Sequence, residues 1–271
     1  MSKRVYKTFK GIVEDFDNNL INKNIINSQR YYFKKKDDPR WKLYDRAYKE
    51  LSKRPDGKRN IVFSVGINDA DYKVSRTEKG DEVWVCPYYK IWQGMLKRCY
   101  SEKFQQRNPA YKDCYVCEEW LLFSNFRSWM ERQDWEGKEL DKDILTLSSN
   151  IYSKNTCTFI PKWLNIFLSD NPEGTYLKGV IYKKKTDDML NELTKPFYAR
   201  INDRLNNTRR FLGSFSTEKQ AHKAWQLAKI GIIIAYSKID YLQTPVRESL
   251  KVLAGRIKED VNNERPTRKL L

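Results

Sequence analysis

Residues 179–236 hold three short strand-like runs, GVIYKKK, PFYARI and RRFLGSF, followed by the unbroken stretch STEKQAHKAWQLAKIGIIIAY. Strands this short are not stable alone, so they must pair and bury one face against another element. The helical stretch supplies that element. Ala221, Ala224, Trp225 and Ala228 are small or flat enough for a helix to lie close on a sheet. Ser216 or Thr217 stands where an N-cap is needed, and Glu218 follows where negative charge favours a helix start. The order therefore predicts an α+β fold containing a three-stranded antiparallel sheet packed on one helix. The segment TDDMLNELTK between the first two strands is a long, acidic insert.

Upstream, IVFSVGINDADYKVSRTEKGDEVWVC (residues 61–86) reads as strands around a turn at Glu78-Lys79-Gly80-Asp81. From Pro87 the period changes, and Tyr88, Ile91, Trp92, Met95, Leu96 and Cys99 fall on one helical face. Trp120, Leu121, Phe123, Phe126 and Trp129 repeat this after a loop, and these aromatics read as core. The expected layout is a basic region with strands (1–86), a middle domain (87–170), the sheet-and-helix domain (171–240), and a helix with a mobile basic tail (241–271). Residues 1–60 carry 17 Lys or Arg against 8 Asp or Glu. There the run Arg30-Tyr-Tyr-Phe-Lys-Lys-Lys suits either backbone tracking with base stacking or a packed helix with a solvated face.

The formal charge of +17 implies a polyanionic partner, since each neutralised phosphate releases counterions. At 14% aromatic the chain is globular. It has no transmembrane run, no apolar signal-peptide core at its start, and no long basic amphipathic helix, so nucleic acid is expected and a membrane is not. Five cysteines and no secretion signal imply a reducing compartment. Cys114 and Cys117 form a single C-x-x-C without a matching pair, so no zinc is expected. The lone histidine, His222, reads as a surface residue.

Between Leu140 and Asn165 lies LDKDILTLSSNIYSKNTCTFIPKWLN. Asp141 and Asp143 end an apolar step, a loop with Asn150 and Asn155 follows, and a short helix-like run closes on Asn165. Such Asp and Asn clusters commonly make turns, because their side chains hydrogen-bond nearby backbone.

With YYKIWQGMLKRCYS and PAYKDCYVCEEWLLFSNFRSWM before it, this stretch resembles phage and mobile-element HNH homing endonucleases of the LDRID…GNY…NCRW type, over roughly residues 88–166. The resemblance implies an HNH-like ββα-metal unit that cleaves or nicks DNA phosphodiester bonds. Asp141 and Asn165 would hold one Mg²⁺ or Mn²⁺, and Asn155 would brace the loop. Asp141, Lys142, Asp143 and Asn155 would form the catalytic set. Lys142 stands where that family has its histidine base; a solvated lysine titrates near ~10.4, far above a working base. A catalytically degenerate HNH scaffold that binds DNA is the alternative, and a phage accessory protein that binds a host protein is a third reading.

GVIY, FYARI, FLGSF and the T-x-x-x-A-x-x-A-W helix resemble the APETALA-two/ethylene-response-factor DNA-binding domain, over roughly residues 178–236. In that family the sheet enters the major groove of double-stranded DNA. The implied contacts are Lys183, Lys184, Lys185, Arg200, Arg204, Arg209 and Arg210. Both resemblances imply a phage-encoded protein acting in the cytoplasm of an infected bacterium.

Overall fold

The computed structural model describes residues 8–17, 21, 23–52, 60–169, 174–183 and 194–271. In chain order it forms helices α1 (Phe9–Asp17), α2 (Lys23–Lys35) and α3 (Trp41–Ser52), and strands β1 (Asn60–Val62), β2 (Gly66–Asn68), β3 (Ser75–Glu78) and β4 (Asp81–Val85). Next come α4 (Pro87–Tyr100), α5 (Glu102–Arg107), β5 (Tyr115–Val116), α6 (Phe123–Met130), β6 (Lys138–Asp141), β7 (Ile151–Tyr152), β8 (Thr158–Pro161) and α7 (Lys162–Leu168). The last elements are β9 (Val180–Tyr182), β10 (Phe197–Asp203), β11 (Thr208–Phe215), α8 (Glu218–Tyr236) and α9 (Thr244–Asn262). The class is α+β, with small and mostly antiparallel sheets. Among the described residues, no helix is long and apolar enough to cross a membrane.

The chain folds into two compact units: residues 1–133 with 150–153, and residues 134–149 with 154–271. In the first, α1–α3 bury Ile12, Ile26, Phe33, Tyr44 and Ala47 together. The aromatic-basic run lies on α2, where packing absorbs much of it. Phe33 is buried, the Arg30 guanidinium lies 4.8 Å from the Tyr48 ring, and Lys35 donates to the Cys114 carbonyl. The face foreseen for α4 is the buried one, through Trp92, Met95, Leu96 and Cys99. Trp92 Nε1 donates to the Trp120 carbonyl at 2.7 Å, which gives its one polar atom a partner inside the core. Parallel pairing of β5 with β7 brings residues 150–153 into this unit.

In the second unit β6 and β8 pair antiparallel, with Asp141 opposite Thr158, and α7 follows β8 directly. The sheet of β9–β11 has the order β11-β10-β9 and packs one face on α8. Thr217 caps α8 by accepting from the Gln220 amide, while Gln220 returns a bond to the Thr217 amide. Glu218 does not close that capping box; its Oε1 accepts from the Leu177 amide. Gly179 has φ +79°, and a Cβ there would sit 2.0 Å from Trp225 Cδ1. Both the left-handed turn and the closeness of the indole require glycine.

Two expectations are corrected here. His222 is 3% exposed: Nδ1–H donates to the Lys178 carbonyl at 2.9 Å, and Nε2 accepts from the Thr267 amide at 3.0 Å. The tail after α9 is docked. Gln226 Nε2 donates to the Arg265 carbonyl and to Thr267 Oγ1, and Leu270 is buried. The tail covers the face of α8 that carries His222, and local periodicity carries no trace of so distant a partner.

Candidate nucleic-acid interface

Strand alternation divides the β9–β11 sheet into two faces. Ala199 and Ile201 are buried toward α8, so Tyr198, Arg200 and Asn202 belong to the other face. Their partners on β11 are Ser214, Phe211 and Arg209. Contacts agree with that division. Arg209 Nε donates to Asn202 Oδ1 at 3.1 Å, the Tyr198 and Phe211 rings meet edge to face at 5.7 Å, and Lys183 Nζ lies 6.0 Å from the Tyr198 ring. Phe211 is 62% exposed. This face joins three cations to two rings and an amide, a combination able to meet phosphates and base edges together.

The expected contacts therefore separate. Lys183, Arg200 and Arg209 share the open face. Arg210 pairs with Ile201 on the other face and lines a cavity beside Ala228, Gly231 and Tyr236 of α8. Arg204 is exposed in the β10–β11 turn. That turn is held by Asp203, which accepts from the Asn206 amide at 3.2 Å and from Tyr236 Oη at 2.6 Å. Burial, together with the bond to Asp203, pushes the Tyr236 hydroxyl up to about 12. Lys184 and Lys185 lie outside the described residues. Tyr198, Asn202 and Phe211 were missed in the sequence reading, although alternation through FYARIND was the available signal.

The second candidate region is the loop between β6 and β8. Asp141 Oδ1 accepts from the amides of Asp143 at 3.0 Å and Ile144 at 2.7 Å. Burial pushes its carboxyl above the ordinary aspartate range, and the Ile144 amide pulls it back part of the way. Asp143 Oδ1 accepts from the Ser149 amide at 3.0 Å and from Lys142 Nζ at 2.6 Å. Lys142 is buried and also donates to the Ser149 carbonyl at 2.6 Å. Leu147 and Ser148 turn with positive φ between these anchors. Asp141, Lys142 and Asp143 thus meet in one tight turn that they themselves fasten.

Asn155 is exposed in the turn before β8. Asn165, on α7, donates through Nδ2 to Glu139 Oε2 at 2.5 Å. Glu139 lies two residues before Asp141 on the same side of β6, and the sequence reading passed over it. A Mg²⁺ or Mn²⁺ held by Asp141 and Asn165 would need the other carboxyl oxygen, Asp141 Oδ2, and the amide oxygen, Asn165 Oδ1. One carboxyl oxygen is taken by two amides, and the asparagine amide faces Glu139. Among the described residues no three His, Cys, Asp or Glu side chains converge. Cys86, Cys99, Cys114 and Cys157 are buried thiols, and Cys117 is half-buried.

Comparison with protein-family models, with curated proteins and with solved structures finds no match. The functional reading therefore rests on the chain's own residues.

Proposed function

We propose that this chain binds double-stranded DNA through the open face of its β9–β11 sheet. The supporting observation is the composition of that face: Lys183, Arg200 and Arg209 interleaved with Tyr198, Asn202 and an exposed Phe211. An exposed aromatic flanked by cations is poorly explained by folding alone, because it adds nothing to the core. Phosphate contacts from the cations would supply salt-dependent affinity, and Asn202 with Phe211 would reach base edges. The net charge of +17 supports the same partner. The ββα arrangement of β6, β8 and α7 serves in this reading as a scaffold related to HNH nucleases, its acidic turn holding the loop.

Duplex retention tests the reading. Arg209→Ala and Phe211→Ser should each weaken binding by about 1–3 kcal/mol for a preferred sequence, with folding unchanged. Equal retention by wild type and both variants would refute it.

A second reading, metal-dependent cleavage, is favoured by one feature: the order strand, strand, helix, with Asp141 ending the first strand and Asn165 on the helix, as the resemblance to HNH nucleases implies for its ligands. Supercoiled DNA incubated with Mg²⁺ or Mn²⁺ should stay intact under the scaffold reading. Nicking by the wild type that Asp141→Asn abolishes would establish the nuclease instead.

A further inference from the structure

The second unit also has a half-open cavity of about 770 Å³ beside the sheet, which Arg200 and Asn202 of the proposed duplex face border. β9 pairs with β10 only as far as Ala199, and the Arg200 amide closes that edge by donating to the Gly179 carbonyl at 2.9 Å. Past this point β10 borders the cavity through Arg200, Ile201 and Asn202, and the turn after it through Arg204. Its other walls come from the end of α7, the turn before β9, the first half of α8 and the docked tail.

Charge is the telling property. Lys178, Arg200, Arg204, Lys219, Lys229 and Arg268 line the cavity, against one carboxylate, Glu218, which is already bonded to the Leu177 amide. Lys229 is the most informative of these. It is 5% exposed, donates to the Phe167 carbonyl at 2.7 Å and has its Nζ 3.3 Å from the Phe167 ring centroid. The Phe167 carbonyl and ring hold this ammonium in place, and its charge adds to the field of the wall. A concave site lined by one sign of charge focuses its field on an incoming counter-ion. The tail contributes as well: His222 and Gln226 hold Thr267, and so place its neighbour Arg268 at the wall. Tyr176, which is half-buried, adds flat apolar surface, while Trp225 is covered by Gly179 and the His222 ring.

We infer that this cavity binds the phosphate of a nucleotide, with the base beside Tyr176. The volume falls within the range of about 300–1,000 Å³ usual for small-molecule sites. That phosphate has two sources, a free nucleotide and the 5′ end of a DNA strand, and the cations would recognise both. The inference does not depend on duplex binding by the sheet.

Titration calorimetry on the full chain tests it, with deoxyadenosine monophosphate, deoxyadenosine, and a short oligothymidylate with and without a 5′-phosphate. Saturable single-site binding of a phosphorylated ligand, absent for the nucleoside, is expected. Tighter binding of the 5′-phosphorylated oligonucleotide would assign the site to strand ends, and tighter binding of the monophosphate to free nucleotide. Lys219→Glu with Arg268→Glu should weaken binding by about tenfold or more, because two charge-assisted contacts become repulsive. Both residues are exposed, and an unchanged melting curve would verify that the variant folds. Arg209→Ala, on the open sheet face, should lower duplex retention and leave nucleotide binding within about twofold. Absence of saturable binding, equal binding of the nucleoside, or an unaffected double variant would each overturn the inference.

Discussion

Replacing Asp141 separates a loop anchor from a metal ligand. Its Oδ1 accepts from two amides, at 3.0 and 2.7 Å, and the residue is 8% exposed. Asp141→Ala strands both donors inside the turn. Each unsatisfied buried donor costs about 1–3 kcal/mol. Against this stands the relief of a buried carboxylate, whose raised pKa marks it as poorly solvated. The net loss should be about 2–4 kcal/mol, enough to lower the melting temperature by roughly 4–16 °C in a chain of this size. Asp141→Asn keeps an acceptor of the same shape and should cost less than about 1 kcal/mol. The two differ in pH dependence. Because the folded pKa lies above the unfolded value, wild type loses stability as pH climbs from about 3.9 through the raised folded value. The asparagine variant should lack that slope and so gain on wild type across the window. Urea unfolding at several pH values, with amide exchange at Ile144, measures both effects. A pure ligand would show the reverse: Asp141→Ala as stable as wild type in metal-free buffer, with the Ile144 amide still protected. That result would refute the anchor.

Other perturbations have equally definite outcomes. Gly179→Ala meets Trp225 at 2.0 Å in a left-handed turn, and should destabilise by more than about 2 kcal/mol in thermal melts, whereas Trp225→Ala should partly rescue it. His222 is held neutral, its pKa lowered by burial; the unfolded chain therefore takes up the proton first, and stability should fall as pH drops below about 6.5 toward the lowered folded value. In His222→Gln that slope should vanish, and the Thr267 amide should exchange faster. Lys142→His loses the bonds to Asp143 and to the Ser149 carbonyl, so denaturation should show a loss of about 1–3 kcal/mol with no gain in DNA cleavage.

Elements with a strong period were legible in the sequence. Trp92, Met95 and Leu96 announced the buried face of α4, and the runs around Val180, Phe197 and Phe211 gave the three strands in order. Site geometry was less legible, because it depends on which atoms face each other across loops. Asp141 and Asp143 take their hydrogen bonds from amides two, three and six residues on, and Asp143 also from the Lys142 ammonium. That is the ordinary turn chemistry of aspartate. The partner of Asn165, Glu139, stands 26 residues upstream, out of reach of any local pattern. His222 and Thr267 are 45 residues apart, so neither could mark the other as buried. Arg209 and Arg210 are adjacent letters in one basic pair, and only the strand register tells them apart.

The four residues 150–153 have a practical consequence. The first unit borrows them from the middle of the second, so the backbone passes from one to the other three times, after Gln133, Ser149 and Ser153. No single cut yields either unit whole. A fragment starting at Asp134 would carry Ile151 and Tyr152 away from Tyr115 and Val116, leaving half a ladder and a ring that is 3% exposed in the intact chain without cover. A fragment ending at Gln133 would lack the strand that β5 needs. Proteolysis between Asp143 and Ser149 would instead leave the pieces joined by their hydrogen bonds, so a nicked chain should behave as one particle where a truncated one would not.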